Sequence, residues 1–246
     1  MNKYAAVTGA NKGIGRATSI TLAKNGWQVA LLGRNMTGLK NVENEIGSTA
    51  LAVECEVSDR ASVANAFSII KEKFSRLDLL FNNAGVVIPG SLLEDVDTDD
   101  WKRVFDINVG GVFFCTQEAF LLMREQQPQG GRIINNGSLS AHAPRPNSAP
   151  YTASKHAITG LTRSTSLDGR KYNIACGQID IGNADTGMAS MQRVGAPQAN
   201  GDILAEPVID AQIIADSVLH MASLPLDANV QFITVMATKM PYIGRG

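Results

Sequence analysis

Tyr151 stands four residues before Lys155, and it is the only one of the four tyrosines with a lysine at that spacing. On an α-helix, positions i and i+4 share a face, so the two side chains would lie side by side. A nearby ammonium favours the phenolate and lowers the pKa of a phenol from about 10, which suits proton exchange near neutral pH. The pair predicts a tyrosine acid/base, although two surface side chains can share this spacing by chance.

Other polar residues come directly after predicted strands or within a predicted helix. Ser138 follows the strand predicted at 132–135, and residues 82–85 (Asn-Asn-Ala-Gly) follow the strand predicted at 77–81. Asn108 lies in a predicted helix. Because ligands bind at the carboxyl ends of the strands in open parallel sheets, we expect Ser138 and residues 82–85 at one binding edge.

A glycine-rich turn follows the first predicted strand and opens the first predicted helix. Its glycines are Gly9, Gly13 and Gly15. They permit a tight turn, a close backbone approach to a pyrophosphate and close packing of helix on strand, while the helix N-terminus offers free N–H groups to phosphates. Glycine turns without a ligand are common, but this position between strand and helix predicts dinucleotide binding.

The residue after the second predicted strand bears on which nicotinamide cofactor is bound. NAD sites place a carboxylate there for the ribose hydroxyls, whereas NADP sites place a cation for the 2′-phosphate. Here the strand ends in Gly33-Arg34, the next acid is Glu43, and Lys12 in the glycine turn can reach the same phosphate. Both cations can equally be solvated surface groups. The pattern favours NADP(H), with NAD(H) as the alternative.

Short apolar runs alternate with amphipathic stretches along the chain, as in a parallel sheet buried on both faces by helices. Strands are predicted at residues 4–7, 28–32, 50–53, 77–81, 132–135, 174–176 and 230–235, and helices include residues 14–25, 151–167 and 208–222. Asp97 is expected to cap a further helix. The expected fold class is α/β, a single-domain doubly wound parallel sheet of Rossmann type over residues 1–246, with about seven strands. Residues 182–206 lack periodicity, which predicts a mobile lid or substrate loop.

In order and spacing, these motifs resemble those of the short-chain dehydrogenase/reductase family over the first two-thirds of the chain. The resemblance implies that Tyr151 is the acid/base, and that Lys155 binds the nicotinamide ribose and lowers the pKa of Tyr151. It also implies that Ser138 orients and polarises the substrate oxygen and that Asn108 holds a water of a proton relay. The cofactor-binding residues expected from the motifs and the resemblance together are Gly9, Asn11, Lys12, Gly13, Ile14, Gly15, Arg34, Glu56, Val57, Asn82, Ala84, Gly85, Tyr151 and Lys155. The family usually has Asp where Glu56 stands.

The last third of the chain departs from the family's pattern. Where the family has Pro-Gly after the sixth strand, residues 178–183 read Gln-Ile-Asp-Ile-Gly-Asn. Asp180 is either a functional acid or the cap of the next turn, of which we favour the cap. Thr186 is the nearest candidate for the family's carboxamide-binding threonine. The tail at residues 236–242 either reaches a neighbouring subunit's site or seals the edge of the core, and His142 either lines the substrate mouth or is a solvated loop residue.

The composition sets limits on partners and compartment. Hydrophobic residues make up 44% of the 246 residues, enough for a sizeable core, and the net charge of −1 gives no field that favours nucleic acid or a membrane surface. Cys55, Cys115 and Cys176 are odd in number and far apart, which indicates free thiols in a reducing compartment. The histidine spacing indicates no metal site. Because the sequence shows neither a leader nor an 18-residue apolar span, the cytoplasm is the expected location.

The function that these features predict is an NADP(H)-dependent oxidoreductase that interconverts a carbonyl and a secondary alcohol of a small-molecule substrate, with Tyr151 as acid/base. The alternative is a catalytically silent cofactor-binding regulator of the same fold. The family resemblance implies a homotetramer or dimer. A stripe of small residues on the helix of Tyr151 would serve either subunit packing or close packing within the monomer: Ala153, Ala157, Gly160 and Ser164. The sequence does not identify the substrate.

Overall fold

Seven parallel strands form the central sheet of the computed structural model, which describes residues 3–186 and 194–243. The strands of the described chain are β1 (Lys3–Thr8), β2 (Trp27–Gly33), β3 (Ala50–Glu54), β4 (Leu79–Asn82), β5 (Gly131–Asn136), β6 (Ile174–Ile181), the two-residue strands β7 (Ala184–Asp185), β8 (Ala196–Pro197), β9 (Ile203–Leu204) and β10 (Ile209–Asp210), and β11 (Phe232–Val235). The sheet order is β11-β6-β5-β4-β1-β2-β3, and every neighbouring pair is parallel. The seven predicted strands are confirmed.

Helices cover both faces of this sheet. They are α1 (Gly13–Lys24), α2 (Met36–Ile46), α3 (Arg60–Phe74), α4 (Thr98–Phe105), α5 (Gly111–Glu125), α6 (Ala149–Gly169) and α7 (Ala211–Ser223), and a π-helical turn at Asp106–Gly110 joins α4 to α5. Leu22 of α1 and Val218 of α7 belong to one apolar cluster, whereas Phe67 of α3 and Met123 of α5 belong to another. The doubly wound α/β fold is therefore confirmed. Within the described ranges, no helix is both long and apolar enough to cross a membrane.

Most element boundaries agree with those predicted from the sequence, and capping residues explain where helices α4 and α7 begin. Asp97 caps α4 as predicted, since its carboxylate accepts the N–H groups of Asp99 and Asp100. Helix α7 begins at Ala211 rather than at residue 208, because Asp210 accepts the N–H of Gln212 and so marks the helix start.

Strand β6 shows the largest difference between prediction and structure. The apolar run at 174–176 predicted a strand of three residues, but β6 continues through Gly177, Gln178 and Asp180 to Ile181. The polar side chains of Gln178 and Asp180 are buried and hydrogen-bonded inside the fold, so their polarity does not end the strand. Asp180 thus reaches the carboxyl edge of the sheet from within a strand.

A line of buried side chains connects the middle strands with α6. The amide of Asn82 donates to Asn135 Oδ1 (2.9 Å), and the amide of Asn135 donates to Thr162 Oγ1 of α6 (2.9 Å). The Thr162 hydroxyl in turn donates to Gln178 Oε1 (2.9 Å), and the Gln178 amide donates to Asp180 Oδ1 (2.7 Å). Helix α6 is therefore held to the sheet by directional bonds as well as by apolar packing.

Substituting Thr162→Val tests this line, because valine keeps the volume of threonine and removes only the hydroxyl. Gln178 Oε1 would lose its donor and the Asn135 amide its oxygen acceptor. We expect the free energy of unfolding to fall by about 3 kcal/mol, since each buried polar group left unpaired costs roughly 1–3 kcal/mol. Urea denaturation measures the loss, and Thr37→Val on the exposed face of α2 is the matched control. Equal stability of the two variants would contradict the structural role of this line.

Candidate active site

The glycine-rich turn between β1 and α1 has the geometry of an anion site. Gly9 and Gly13 adopt positive φ angles of 65° and 53°, which favour glycine. A side chain at Gly15 would collide with the carbonyl oxygen of Gly9, so the helix start can approach the strand only with glycine there. Lys12 occupies the N-cap position, and its side chain has no oxygen with which to cap the first turn. The N–H groups of that turn are thus suited to a phosphate.

A cleft of about 1010 Å³ runs along the carboxyl edge of the sheet from this turn. Most of the residues predicted to bind the cofactor or to act in catalysis line it: Gly9, Asn11, Lys12, Gly13, Ile14, Arg34, Glu56, Val57, Ala84, Gly85, Ser138, Tyr151 and Lys155. Glycines with left-handed backbone, an uncapped helix start and an elongated cleft fit a dinucleotide. The sheet therefore brings residues from the whole first two-thirds of the chain to one site.

Three predicted site residues lie beneath the cleft rather than on its wall. Asn82 was expected to line the cofactor, but its side chain is buried and its amide is used on Thr116 and Asn135. Gly15 packs on the carbonyl of Gly9. Asn108 is also buried: its side chain exchanges hydrogen bonds with the backbone of Val86 and donates to Ser154 Oγ (3.2 Å). For these three residues, the sequence indicated the right region but not that they lie beneath the cleft surface.

Ser138, Tyr151 and Lys155 line the same cleft, as the sequence predicted. The Lys155 ammonium lies 5.5 Å from the centre of the Tyr151 ring and donates to the carbonyl oxygen of Asn136 at 2.7 Å. Lys155 is itself buried, so this bond fixes its ammonium beside the phenol. The Ser138 hydroxyl oxygen accepts the N–H of Ser140 (3.1 Å), which orients it at the end of β5.

Asn83 was not singled out by the sequence, yet it ties three strand ends together at the cleft. Its amide group donates to the carbonyl oxygen of Thr8 (2.9 Å), and its Oδ1 accepts from the side chain of Asn136 (3.1 Å). Asn136 is the residue whose carbonyl holds Lys155. The motif at residues 82–85 was a sufficient signal for this region, although nothing in it distinguished Asn83 from Asn82.

At the far end of the cleft, Arg34 and Glu56 form an ion pair between the ends of β2 and β3. Arg34 Nη1 lies 3.1 Å from Glu56 Oε2. The other oxygen of Glu56 accepts from the hydroxyl (2.8 Å) and the N–H (3.2 Å) of Ser58, which holds the carboxylate in place. The side chain of Arg34 is 65% exposed, so its remaining donors face solvent and the cleft.

Asp180 is buried beneath the turn that carries Ser138. Its Oδ1 accepts the backbone N–H of Ser138 (3.1 Å) and the amide of Gln178, and its Oδ2 pairs with His142 Nε2 (2.9 Å). Our preferred interpretation, a cap of the following turn, is therefore wrong, because Asp180 binds the preceding connection between β5 and α6. His142 is a solvent-exposed loop residue, 42% exposed, as one of our two interpretations had it; it does not line the cleft, and its imidazole pairs with Asp180.

A buried polar cluster borders the other side of the cleft. Arg145 donates to Glu206 and to Asn183 Oδ1 (3.0 Å), and the Asn183 amide donates to Glu206 Oε2 (2.8 Å). The Glu206 side chain is almost fully buried, which makes this an ion pair that costs desolvation and gains from hydrogen bonds on both partners. No sequence pattern indicated this cluster, because its members come from three separate segments.

The C-terminal tail closes the cleft of its own chain. Met240, Pro241 and Tyr242 line the cleft, and Met240 packs against Leu139 in a small apolar cluster. Of the two interpretations, a seal over the core edge agrees with this packing, and the tail also lines the cleft of its own chain. Gly182 is needed here because an added Cβ would lie 2.6 Å from Met240 Sδ.

The predicted substrate segment at 182–206 is described only in part, because residues 187–193 lie outside the described ranges. Thr186 lies next to Gly13, where an added Cβ would come 3.2 Å from its methyl group, and Thr186 lines the cleft. The candidate for the carboxamide-binding threonine thus stands beside the glycine turn.

The sequence matches the short chain dehydrogenase family over residues 3–195. A 3beta-hydroxysteroid dehydrogenase of Mediterraneibacter gnavus is 38% identical over 187 residues, which cover 75% of this chain and 67% of that protein. The short chain dehydrogenase/reductase astE of Aspergillus oryzae is 34% identical over 230 residues, which cover 90% of this chain and 88% of that protein. The chain belongs to the short-chain dehydrogenase/reductase family, whose members are NAD(P)-dependent oxidoreductases acting on CH–OH groups.

Two solved structures extend the comparison to the whole fold. A 3-ketoacyl-(acyl-carrier-protein) reductase from Brucella melitensis, complexed with NADH, has a TM-score of 0.87 at 26% identity and covers 96% of this chain and 98% of its own. An alcohol dehydrogenase from the archaeon Thermococcus sibiricus, complexed with 5-hydroxy-NADP, has a TM-score of 0.82 at 22% identity and covers 96% of both chains. At that identity the second structure supports the fold alone.

The three cysteines are free and buried, and two of them are poor nucleophiles. Burial raises the pKa of the Cys176 thiol to about 12. The pKa of the Cys115 thiol is raised by its hydrogen bond with Cys55 and by burial. Because the thiolate is the reactive form and a raised pKa reduces it at any given pH, neither thiol is suited to nucleophilic catalysis.

Alkylation with iodoacetamide at pH 8 tests this conclusion. We expect Cys115 and Cys176 to remain unmodified in the folded protein, because both thiols are buried and the pKa of each is raised. For Cys176, a pKa near 12 means about a thousandfold less thiolate than a pKa near 9. In urea, where burial is lost, both should react at the rate of a model thiol. Peptide mass spectrometry distinguishes the sites. Equal rates of alkylation with and without urea would contradict the raised pKa values.

Proposed function

We propose that this chain is an NADP(H)-dependent oxidoreductase that interconverts a carbonyl and a secondary alcohol, with Tyr151 as the acid/base. The observation that carries the proposal is the buried Lys155 ammonium, which lies beside the Tyr151 ring and is anchored on the carbonyl of Asn136. A tyrosine hydroxyl that is held beside a fixed lysine ammonium in the cleft is suited to exchange a proton with a substrate oxygen. Relatives named as dehydrogenases support the class of reaction.

Each residue of the site has a part in managing the substrate oxygen. A nicotinamide cofactor, when bound, would supply or accept the hydride. In the reducing direction Tyr151 donates a proton to the oxygen of the carbonyl, and the Ser138 hydroxyl donates a hydrogen bond to the same oxygen. Lys155 would hold the nicotinamide ribose beside Tyr151. Asn108 lies in the π-helical turn, where it would hold a water of the proton relay. Its side chain holds the segment at Val86.

The proposed cofactor is NADP(H), bound with its 2′-phosphate between Arg34 and Lys12. Arg34 stands directly after β2 and keeps donors free for an anion, and Lys12 lines the same cleft. Glu56 favours the alternative, NAD(H), because its carboxylate is paired with Arg34 and would repel a 2′-phosphate. Val57 and Ala84 lie along the cleft where the adenine and ribose would pass.

We also propose a domain organisation, a cellular location and an oligomeric state for this chain. We propose one catalytic domain over the whole chain, with residues 182–206 as its substrate loop, acting in the reducing environment of the cytoplasm, which the free cysteines support. We also propose a homotetramer or dimer. Trp101, Phe113 and Leu121 are exposed on α4 and α5, which supports a subunit interface on these helices.

Replacing Tyr151 by Phe tests the mechanism, because it removes only the hydroxyl. We expect kcat to fall by about 10²–10⁴-fold, the range for loss of a general acid or base, with little change in nucleotide affinity. The assay is NADPH oxidation against a panel that includes ketosteroids, β-ketoacyl thioesters and simple ketones. Tyr172→Phe, which removes a phenol outside the cleft, is the control. A variant Tyr151→Phe with the wild-type rate would rule out the mechanism.

Replacing Arg34 by Gln tests the cofactor. We expect NADPH to bind at least about tenfold more weakly, since a charge-assisted hydrogen bond contributes roughly 1.5–3 kcal/mol, while NADH binding changes little. Fluorescence titration of each nucleotide gives the dissociation constants. Lys40→Gln on α2, where Lys40 is paired with Glu43, is the control for a lost surface cation. An equal loss for both nucleotides would show that Arg34 does not contact a 2′-phosphate.

A further inference from the structure

We propose that Asp180 and His142 form a clamp that positions Ser138 for the substrate oxygen. Neither residue touches the cleft, so both act through Ser138 and are positioning residues rather than catalytic ones. The inference rests on the role proposed above for Ser138. It explains why an ionisable side chain is buried within β6 at a point where it contacts neither a cation of the cleft nor the cleft itself.

The clamp joins the two ends of one short turn. Ser138 opens this turn, Leu139–Ala141 form its single 3-10 helical turn, and His142 follows it. The N–H groups of His142 and Ala143 both donate to the carbonyl of Leu139 at 2.9 Å, so the turn is closed locally. Asp180 holds the closed turn to β6 at both ends, through the N–H of Ser138 (3.1 Å) and the imidazole of His142 (2.9 Å).

A buried carboxylate requires such partners. Asp180 is 1% exposed, and an ionised carboxyl removed from water is stable only when its oxygens receive hydrogen bonds. Its oxygens receive three, from Ser138, Gln178 and His142. The bond between His142 Nε2 and Asp180 Oδ2 occupies one ring nitrogen of His142. The bond therefore gives His142 one ring orientation and fixes the end of the turn.

Gly137 allows the carboxylate to reach this position. A Cβ at Gly137 would collide with Asp180 Oδ1 and would lie 2.7 Å from the amide nitrogen of Gln178. The backbone before Ser138 thus passes directly over Asp180. The carboxylate holds the Ser138 N–H from below while the Ser138 hydroxyl oxygen accepts from Ser140 on the other side, which leaves the hydroxyl proton for the substrate.

His142 is the side chain to substitute, because it is 42% exposed, whereas a change at buried Asp180 risks the fold. His142→Leu removes the hydrogen bond to Asp180. His142→Gln places an amide nitrogen near the position of Nε2 and should restore it. His220→Leu is the matched control, since His220 is exposed on α7. Thermal melting first verifies that all three variants are folded.

Hydrogen–deuterium exchange of residues 137–143 measures the clamp without any substrate. We expect His142→Leu to speed exchange of this peptide by about tenfold or more, because local opening loses one of its restraints. His142→Gln and His220→Leu should exchange like the wild type. If His142→Leu left the exchange of this peptide unchanged, His142 would not restrain the turn and the clamp would be refuted.

A double-mutant cycle with Ser138→Ala then tests whether the clamp acts through Ser138. We expect His142→Leu to lower kcat by about tenfold, since small misplacements of a reacting group cost up to about 10²-fold, and His142→Gln to recover most of it. The dissociation constant of NADPH should stay within about twofold. In the Ser138→Ala background, His142→Leu should cause little further loss, because the group that it positions is already absent.

The outcomes separate this inference from the proposed function. If Ser138→Ala alone keeps the wild-type rate on the best carbonyl of the panel, the proposed role of Ser138 fails, and the clamp loses its purpose with it. If Ser138→Ala is impaired but the two losses multiply, or if NADPH affinity falls in parallel with kcat, the proposed function stands and the clamp is refuted. The clamp is supported if His142→Gln recovers kcat and if the losses from His142→Leu and Ser138→Ala do not multiply in the double-mutant cycle.

Discussion

Buried polar side chains cross the middle of the sheet in one line of hydrogen bonds, from Asn82 in β4 to Asp180 in β6. Because water is excluded there, these donors and acceptors are satisfied mainly by one another, and this sets the position of α6 against β4, β5 and β6. Helix α6 carries Tyr151 and Lys155, and the line ends under Ser138. The side chains proposed to act on the substrate oxygen therefore depend on polar bonds that do not face the cleft.

The two ends of the cleft are built in different ways. At the cofactor end, backbone geometry dominates: glycines with positive φ and the start of α1 need only a few consecutive residues. At the other end, the wall comes from distant segments, namely the Arg145 turn, Asn183 and the tail at Met240, and buried Glu206 holds the first two from behind. The family match covers residues 3–195, so Glu206 and the tail lie outside it, whereas Arg145 and Asn183 lie within it. Substrate preference is expected to depend on the second set of residues.

Much of the fold and part of the candidate site could be predicted from the amino-acid sequence. Strand positions followed from apolar runs, and the cleft residues followed from their place after strands, because all parallel strands end at one edge. Side-chain direction could not be predicted in this way. Asn82 and Asn83 are adjacent and alike, yet a strand alternates its side chains, so one lies in the sheet and the other at the cleft.

The sequence alone determined the family, the sheet and the edge at which Tyr151, Lys155 and Ser138 meet, because short motifs with fixed spacing encode them locally. Only the tertiary structure decided what Asp180 does. Two of its three partners, Ser138 and His142, lie 42 and 38 residues away along the chain, after another strand end and in the turn beyond it. Burial makes those partners obligatory for a carboxylate, but no local pattern states where a buried residue will find them. The polar residues Gln178 and Asp180 suggested that β6 ends before them and that Asp180 caps a turn. In the structure both residues lie inside the strand, where they are buried and hydrogen-bonded.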